Sequence, residues 1–215
     1  MTLINEFTTQ FETLKRLFGV NVVEYRLSRL NHIYETTEKK WKENLTRIEG
    51  IPIKSLVIAE APPWTETREV RYFYNTFGSH WHIRLWYAFF PNETRPSSID
   101  VGLIKLAKKG FLLIDSLPFA MKYSSTVRNK PLYFQLVKEC LPFLMNKVNN
   151  HSITWAKNVR LAFAFKLNAL AVIKALPSGL ALPTNEVIQL HEQLIAADGS
   201  GYTNSNMLRN ILGID

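Results

Sequence analysis

Two acidic residues directly follow apolar segments whose composition is typical of buried β-strands. Glu60 comes after the run at residues 53–59, and Asp115 comes after the run at residues 111–114. A carboxylate at the end of a buried strand loses hydration, so it is tolerated where it is solvated, paired or used in chemistry. Such a group can stabilise the positive charge that develops on a sugar ring when a glycosidic bond breaks, or orient a water molecule. Both acids are therefore candidate catalytic residues, with capping of the next helix or pairing to a Lys or Arg as the structural alternative.

The segment at residues 72–75, which follows Glu60 in the sequence, combines aromatic rings with an amide. A nucleic-acid base that leaves its stack needs an aromatic face to cover it and a polar group to read its edge. We predict that the base-binding residues are Pro62, Tyr72, Phe73, Tyr74, Asn75 and Asn168. For the segment at residues 72–75, a hydrophobic loop folded on the core is the alternative interpretation.

Basic residues dominate the chain between Lys105 and Lys138, where Asp115 is the only acid, and the whole chain has a net charge of +8. The loop expected after residue 114 interleaves these basic residues with hydroxyl groups and an aromatic ring, a composition suited to phosphate contacts. The predicted phosphate-binding residues are Lys122, Ser124, Arg128 and Lys130. DNA, damaged or single-stranded, is the expected partner, and a solvated basic face is the alternative.

Other classes of site have little support in the sequence. The pair His80 and His82 lacks further ligands nearby, so no metal is expected. The chain has no phosphate-binding loop of the Walker type, no dinucleotide glycine motif and no nucleophile elbow, and we expect no cofactor. Its single cysteine, Cys140, has apolar neighbours typical of a buried, inert thiol. With no long apolar run and no signal-peptide pattern at the N-terminus, we expect a cytoplasmic monomer that does not enter a membrane.

Hydrophobic periodicity predicts an alternation of helices and strands. Helices are expected over residues 3–18, 24–48, 97–109, 132–148, 169–176, 184–197 and 207–212, and strands over residues 53–59, 111–114, 159–165 and 180–182. Residues 82–90 are apolar and aromatic and fit either a helix or a strand.

The alternation predicts parallel strands, because each crossover helix returns the chain to the same end of the sheet. The expected fold class is α/β, a three-layer α/β/α sandwich with a central, mainly four-stranded parallel sheet. Residues 1–215 then form a single domain, with residues 1–48 as an N-terminal helical flank. Ligands bind at the carboxyl ends of the strands in such sheets, which would bring residues 60–64, 115–119 and 165–168 to one edge.

Several of these segments resemble the uracil-DNA glycosylase superfamily. Residues 56–63, LVIAEAPP, resemble its first motif, and residues 111–118, FLLIDSLP, resemble its second strand and polar turn. Residues 157–174 resemble its third strand and the following helix, and residues 72–75 are placed as its base-stacking segment would be. The resemblance covers about residues 50–185. It departs at Ala59 and Pro63, where the turn normally has Gly, and at residues 182–184, which offer only a proline and a hydroxyl where the family has a His-Pro-Ser loop.

The resemblance implies a glycosylase-like hydrolase of DNA repair, which breaks the N-glycosidic bond of a damaged or deaminated base. Glu60 or Asp115 would then handle the charge and the water, and Tyr74 or its neighbours would stack the base. A non-catalytic nucleic-acid or nucleotide-binding module on the same fold is the alternative. A small-molecule hydrolase unrelated to DNA also stays open.

Overall fold

A three-stranded parallel sheet lies at the centre of the protein. The computed structural model describes residues 3–67, 69–75, 80–121, 129–197 and 203–214. Strands β1 (Ile53–Ala59), β2 (Phe111–Asp115) and β3 (Trp155–Phe163) pair in the order β2-β1-β3, and both pairings are parallel. Every residue of β2 is buried, and in β1 only Lys54 is exposed. Both faces of the sheet are covered, which explains why these strands are nearly continuous apolar runs. The predicted parallel arrangement of these three strands is confirmed.

Helices flank this sheet and connect its strands. Their bounds are α1 (Leu3–Glu6), α2 (Thr8–Phe18), α3 (Val20–Ile48), α4 (His80–Phe89), α5 (Ile99–Lys108), α6 (Lys130–Glu139), α7 (Leu141–Val148), α8 (Lys166–Ala175) and α9 (Ser205–Leu212). The ambiguous apolar segment at residues 82–90 is therefore helical. The predicted helix over residues 132–148 is two helices that meet at Cys140, because Pro142 near the start of α7 has no N–H to continue the hydrogen-bond ladder. Within the described ranges, no helix is long and apolar enough to span a membrane.

The chain after α8 differs from the prediction. Strand β4 (Leu180–Ala181) pairs antiparallel with β5 (Val187–Ile188), so the predicted fourth parallel strand at residues 180–182 is wrong. The predicted helix over residues 184–197 is also wrong, because Asn185 adopts a positive φ of 64° and reverses the chain into this hairpin. A short 3-10 helix (Glu192–Leu194) follows. The described residues thus form a mixed α/β fold whose parallel sheet has three strands rather than four.

One isolated bridge extends the sheet beyond β3. Ile195 forms a parallel bridge with Phe163, and the Ala196 N–H donates to the Phe163 carbonyl at 3.1 Å. Helix α9 follows soon afterwards and packs on β3 and α4. The last part of the chain therefore lies against the open edge of β3.

Tyr74 occupies the opposite edge of the sheet, along β2. Its hydroxyl accepts a hydrogen bond from the Leu113 N–H at 2.8 Å and donates one to the Leu113 carbonyl at 2.7 Å. These are the backbone groups that an additional strand would have satisfied. A side chain thus replaces a strand at this edge, which ties the segment around Tyr74 to the sheet.

Candidate functional site

The loops that leave β1 and β2 continue the pairing of the strands. Backbone N–H groups of the second loop donate to carbonyls of the first, joining Ser116 to Ala59 at 2.9 Å, Leu117 to Glu60 at 2.9 Å and Met121 to Pro62 at 3.0 Å. In the sheet itself Ala59 is the register partner of Asp115. Glu60 and Asp115 consequently lie at the same carboxyl edge of the sheet, in agreement with the expectation for parallel strands.

A chain of hydrogen bonds joins the ends of β1 and β2 to helices α6 and α8 at this edge. The Tyr133 hydroxyl, on α6, donates to Glu60 Oε1 at 2.7 Å, and the Ser116 hydroxyl donates to the Glu60 carbonyl at 3.0 Å. The Asn168 amide, on α8, donates through Nδ2 to Ser116 Oγ at 2.6 Å. We call Glu60, Ser116, Tyr133 and Asn168 the polar chain. All four side chains are buried, so these bonds are made in a medium where they are strong and where a missing bond is costly.

The polar chain fixes the orientation of the Asn168 amide. Ser116 gives its one hydroxyl proton to the Glu60 carbonyl, so its oxygen must accept from an N–H group, and Asn168 Nδ2 supplies it. Asn168 Oδ1 then points away from Ser116. It is buried and has no hydrogen-bond partner within the part of the chain that the structure describes. A buried acceptor of this kind is suited to a ligand that presents an N–H group.

Asp115 is 4% exposed, and its burial raises the pKa of the carboxyl from 3.8 to about 7. The positive charge of Lys147 opposes this rise, whereas the charges of Glu38 and Glu60 add to it. A carboxyl with a pKa near neutrality can exchange a proton at physiological pH. Asp115 therefore has the acid–base property that a buried strand-end carboxyl needs in order to activate a water molecule.

The aromatic segment at residues 72–75 packs on the core. Tyr72, Phe73 and Tyr74 are all at least 95% buried, and Phe73 stacks on His82 with ring centroids 4.6 Å apart and an interplanar angle of 1°. The Asn75 amide donates to the Val70 carbonyl at 2.7 Å. These rings already contact protein groups, so stacking on a base would require the segment to leave its present contacts.

The predicted phosphate contacts fall largely on residues that the structure leaves undescribed. Lys122, Ser124 and Arg128 lie outside the described residues, whereas Lys130 is exposed at the start of α6. His80 and His82 are on α4, and His82 Nε2 lies 2.7 Å from the Phe73 carbonyl, with its pKa lowered mainly by burial. In the described ranges, no group of three or more His, Cys, Asp or Glu side chains could hold a metal ion.

Arg29, on α3, holds the loop that follows β1. Its guanidinium donates to the Thr65 carbonyl at 3.1 Å, the Thr65 hydroxyl at 2.8 Å and the Glu69 carbonyl at 3.2 Å, and it also contacts the Thr67 carbonyl. The neighbouring Trp64 is half-buried, with the Arg26 guanidinium 4.8 Å from its ring centroid. The long helix α3 thereby holds the loop that follows β1 in place.

Sequence reasoning missed Tyr133 as a member of the site. Tyr133 lies on the apolar side of α6 with Leu136, Val137 and Cys140, a spacing that predicts a core position and contains no signal for a contact with Glu60. Only the packing of α6 over the sheet brings its hydroxyl to that carboxylate. The chain matches no family model, no curated protein and no solved structure. Any functional conclusion must therefore come from the geometry described above.

Proposed function

We propose that this protein is a DNA base-excision enzyme that hydrolyses the N-glycosidic bond of a damaged or deaminated base. The observation that carries the proposal is the buried acceptor Asn168 Oδ1, which has no hydrogen-bond partner among the described residues. The polar chain, which includes Glu60, holds it at the strand edge where Asp115 lies. The proposal includes a glycosylase-like three-layer α/β/α arrangement of the whole chain as a single domain. It also includes DNA as the partner, since the net charge of +8 favours a polyanion.

The roles of the side chains follow from their chemistry. Asp115 in its ionised form accepts a proton from water, which attacks the sugar carbon as the bond to the base breaks. The electron pair of that bond leaves with the base, which takes up the proton that Asp115 accepted from water, so that the carboxylate is regenerated. Glu60 stabilises the positive charge that develops on the sugar ring, as carboxylates do in glycoside hydrolysis. Asn168 Oδ1 accepts a hydrogen bond from an N–H of the base and so selects bases that carry one at that position.

A second candidate is a non-catalytic nucleic-acid or nucleotide-binding module on the same fold. The observation that favours it is burial: Glu60 and Asp115 are 2% and 4% exposed, and Tyr133 occupies Glu60 Oε1. A group that touches substrate must be reached by it. Base excision at this edge thus requires an opening of the loops over the strand ends, whereas binding through surface cations does not.

The purified protein should be incubated with oligonucleotides that carry uracil, hypoxanthine or xanthine, and abasic sites should then be revealed by alkali. We expect release of at least one of these bases, and a loss of roughly 100-fold or more in the Asp115→Asn variant, the typical contribution of general acid–base catalysis. The rate should rise with pH through about 7, because only the ionised carboxylate of Asp115 accepts a proton.

The matched control is Asp100→Asn, at a carboxylate that is 64% exposed and pairs with Arg47 rather than with a member of the polar chain. It should leave the rate unchanged. Absence of base release from all three substrates, or equal rates in Glu60→Gln, Asp115→Asn and the unaltered protein, would leave the binding module as the better conclusion.

A further inference from the structure

A buried ion pair joins α3 to α7, the helix that packs on β2. Lys147, on α7, is only 6% exposed, and its Nζ is 2.6 Å from Glu38 Oε1, on α3. The same ammonium lies 4.8 Å from the ring centroid of Trp41 and 4.6 Å from that of Phe143. A lysine normally extends its charged end into water, so this enclosure calls for a specific reason.

An ion pair of this kind is a poor device for stability. Removing two charges from water costs about as much as their mutual attraction returns, and apolar residues of similar size often serve as well. The position of this ion pair next to β2 suggests that it acts on the charge of a buried group. Helix α7 packs against β2, whose last residue is Asp115. The Trp41 ring next to the Lys147 ammonium lies 6.1 Å from the ring of Tyr74, whose hydroxyl bonds the backbone of Leu113 in the same strand. At this separation a positive charge favours an ionised carboxyl at Asp115 and a negative charge disfavours it.

We propose that Lys147 and Glu38 are positioning residues that set the charge of Asp115, with Lys147 favouring the ionised carboxylate and Glu38 limiting that effect. The inference rests on the proposed function for its catalytic meaning, because only an ionised Asp115 can take a proton from water. Glu38 is the more exposed member of the pair, at 24%, whereas Lys147 is 6% exposed.

Three further titratable groups interact with Asp115. Glu60, after β1, disfavours ionisation of Asp115, and Tyr72 and Tyr74 sense the Asp115 charge in turn. Both tyrosines have pKa values raised mainly by burial, so they stay neutral near pH 7 and do not compensate a carboxylate. Of the described side chains whose charges act on Asp115, Lys147 favours its charged form, whereas Glu38 and Glu60 oppose it.

The test is a direct titration of the carboxyl by NMR. The chain contains four aspartates, so labelling with carboxyl-¹³C aspartate gives a simple spectrum in which Asp115→Asn identifies the signal of Asp115. In the unaltered protein this signal should titrate near pH 7. We expect Lys147→Met to raise its midpoint by about 1 pH unit or more, and Glu38→Gln to lower it. Lys147→Arg, which keeps the positive charge, should leave the midpoint close to that of the unaltered protein.

The matched control is Lys174→Met. Lys174, on α8, also lies over an aromatic ring, that of Phe134 on α6. It should not move the Asp115 signal. An unchanged midpoint in Glu38→Gln, or in a folded Lys147→Met variant, would overturn the inference. Glu38→Gln keeps the test decisive if Lys147→Met does not fold.

The outcome separates this inference from the proposed function. If the titration shifts as expected and base release occurs, the pH at which the rate rises should shift in the same direction in each variant. If the titration shifts and no base is released from any substrate, the charge-setting role stands and the proposed activity fails. If base is released while the titration stays unchanged, the charge-setting role fails alone.

Discussion

Glu60 and Asp115 are ionisable side chains that the fold buries at the strand ends. Asp115 is almost completely enclosed, and the polar chain holds Glu60 in a comparable environment with Tyr133 as a hydrogen-bond donor. Burial of an acid raises its pKa, because the charged form loses more hydration than the neutral form. The carboxyl of Asp115 shows this effect, and its cost to folding is measurable.

Asp115 should make the stability of the protein fall as pH rises from about 4 to about 7. In this window the folded state keeps the proton, since its pKa is about 7, while the unfolded state, with a pKa of 3.8, has released it. Deprotonation therefore favours unfolding, by at most about 4 kcal/mol once the pH exceeds the folded pKa. Urea unfolding at pH 5 and pH 8 should show a smaller loss of stability in Asp115→Asn than in the unaltered protein. Equal losses of stability between pH 5 and pH 8 in Asp115→Asn and in the unaltered protein would contradict this prediction. The control Asp100→Asn should lose as much stability as the unaltered protein.

Elements are positioned by side chains as much as by backbone pairing. Tyr74 closes the outer edge of β2, Arg29 joins α3 to the loop after β1, and the Glu38–Lys147 pair links α3 to α7. In each case a polar side chain on a helix or loop bonds a group on another element. The strand-end site thus depends on contacts that lie outside the strands themselves.

Replacing Tyr74 by Phe should destabilise the sheet edge. The change removes a hydroxyl that bonds both the N–H and the carbonyl of Leu113 and leaves these buried groups without that partner. The expected loss in the free energy of unfolding is about 1–3 kcal/mol, measured by urea denaturation, and hydrogen exchange at the Leu113 amide should accelerate. The control Tyr25→Phe, at a ring that is 90% exposed, should change stability by less than about 0.5 kcal/mol. Equal effects of the two substitutions would show that Tyr74 does not support β2.

The whole molecule carries a charge of +8, and the proposed DNA partner makes a prediction at this scale. Binding to an oligonucleotide should weaken steeply with salt, because each phosphate contact releases a counterion. Combined replacement of Lys122, Arg128 and Lys130 by Ala should weaken binding and flatten the slope of log affinity against log salt. Fluorescence anisotropy at several salt concentrations measures both quantities.

The control for this prediction removes the same charge from a different surface, through Ala at Lys39, Lys42 and Lys108, all of which are exposed. It should retain most of the salt slope. An identical slope in the loop variant and the unaltered protein would show that the loop after β2 does not contact phosphates.

The parallel core and the placement of the two acids could be predicted from local sequence patterns. An apolar run such as residues 56–59 of β1 can be recognised locally, because a strand buried on both faces is nearly continuously apolar. Parallel pairing then brings the strand ends, with Glu60 and Asp115, to one edge. The hairpin at β4 and β5 was missed because the apolar spacing of residues 187–195 also fits a helix, and the reversal at Asn185 depends on its backbone conformation.

The other groups that contact the two acids could not be predicted from the sequence, because they come from distant parts of the chain. Tyr133 contacts Glu60 from 73 residues away, and Lys147 pairs with Glu38 from 109 residues away. The rings of residues 72–75 have a composition that suits either a base-binding surface or a core, and packing against Trp41, His82 and β2 places them in the core. Local patterns report the hydrophobicity of a segment. Which buried polar group is satisfied by which partner is set by long-range packing, because the cost of burying that group arises only once distant elements have enclosed it.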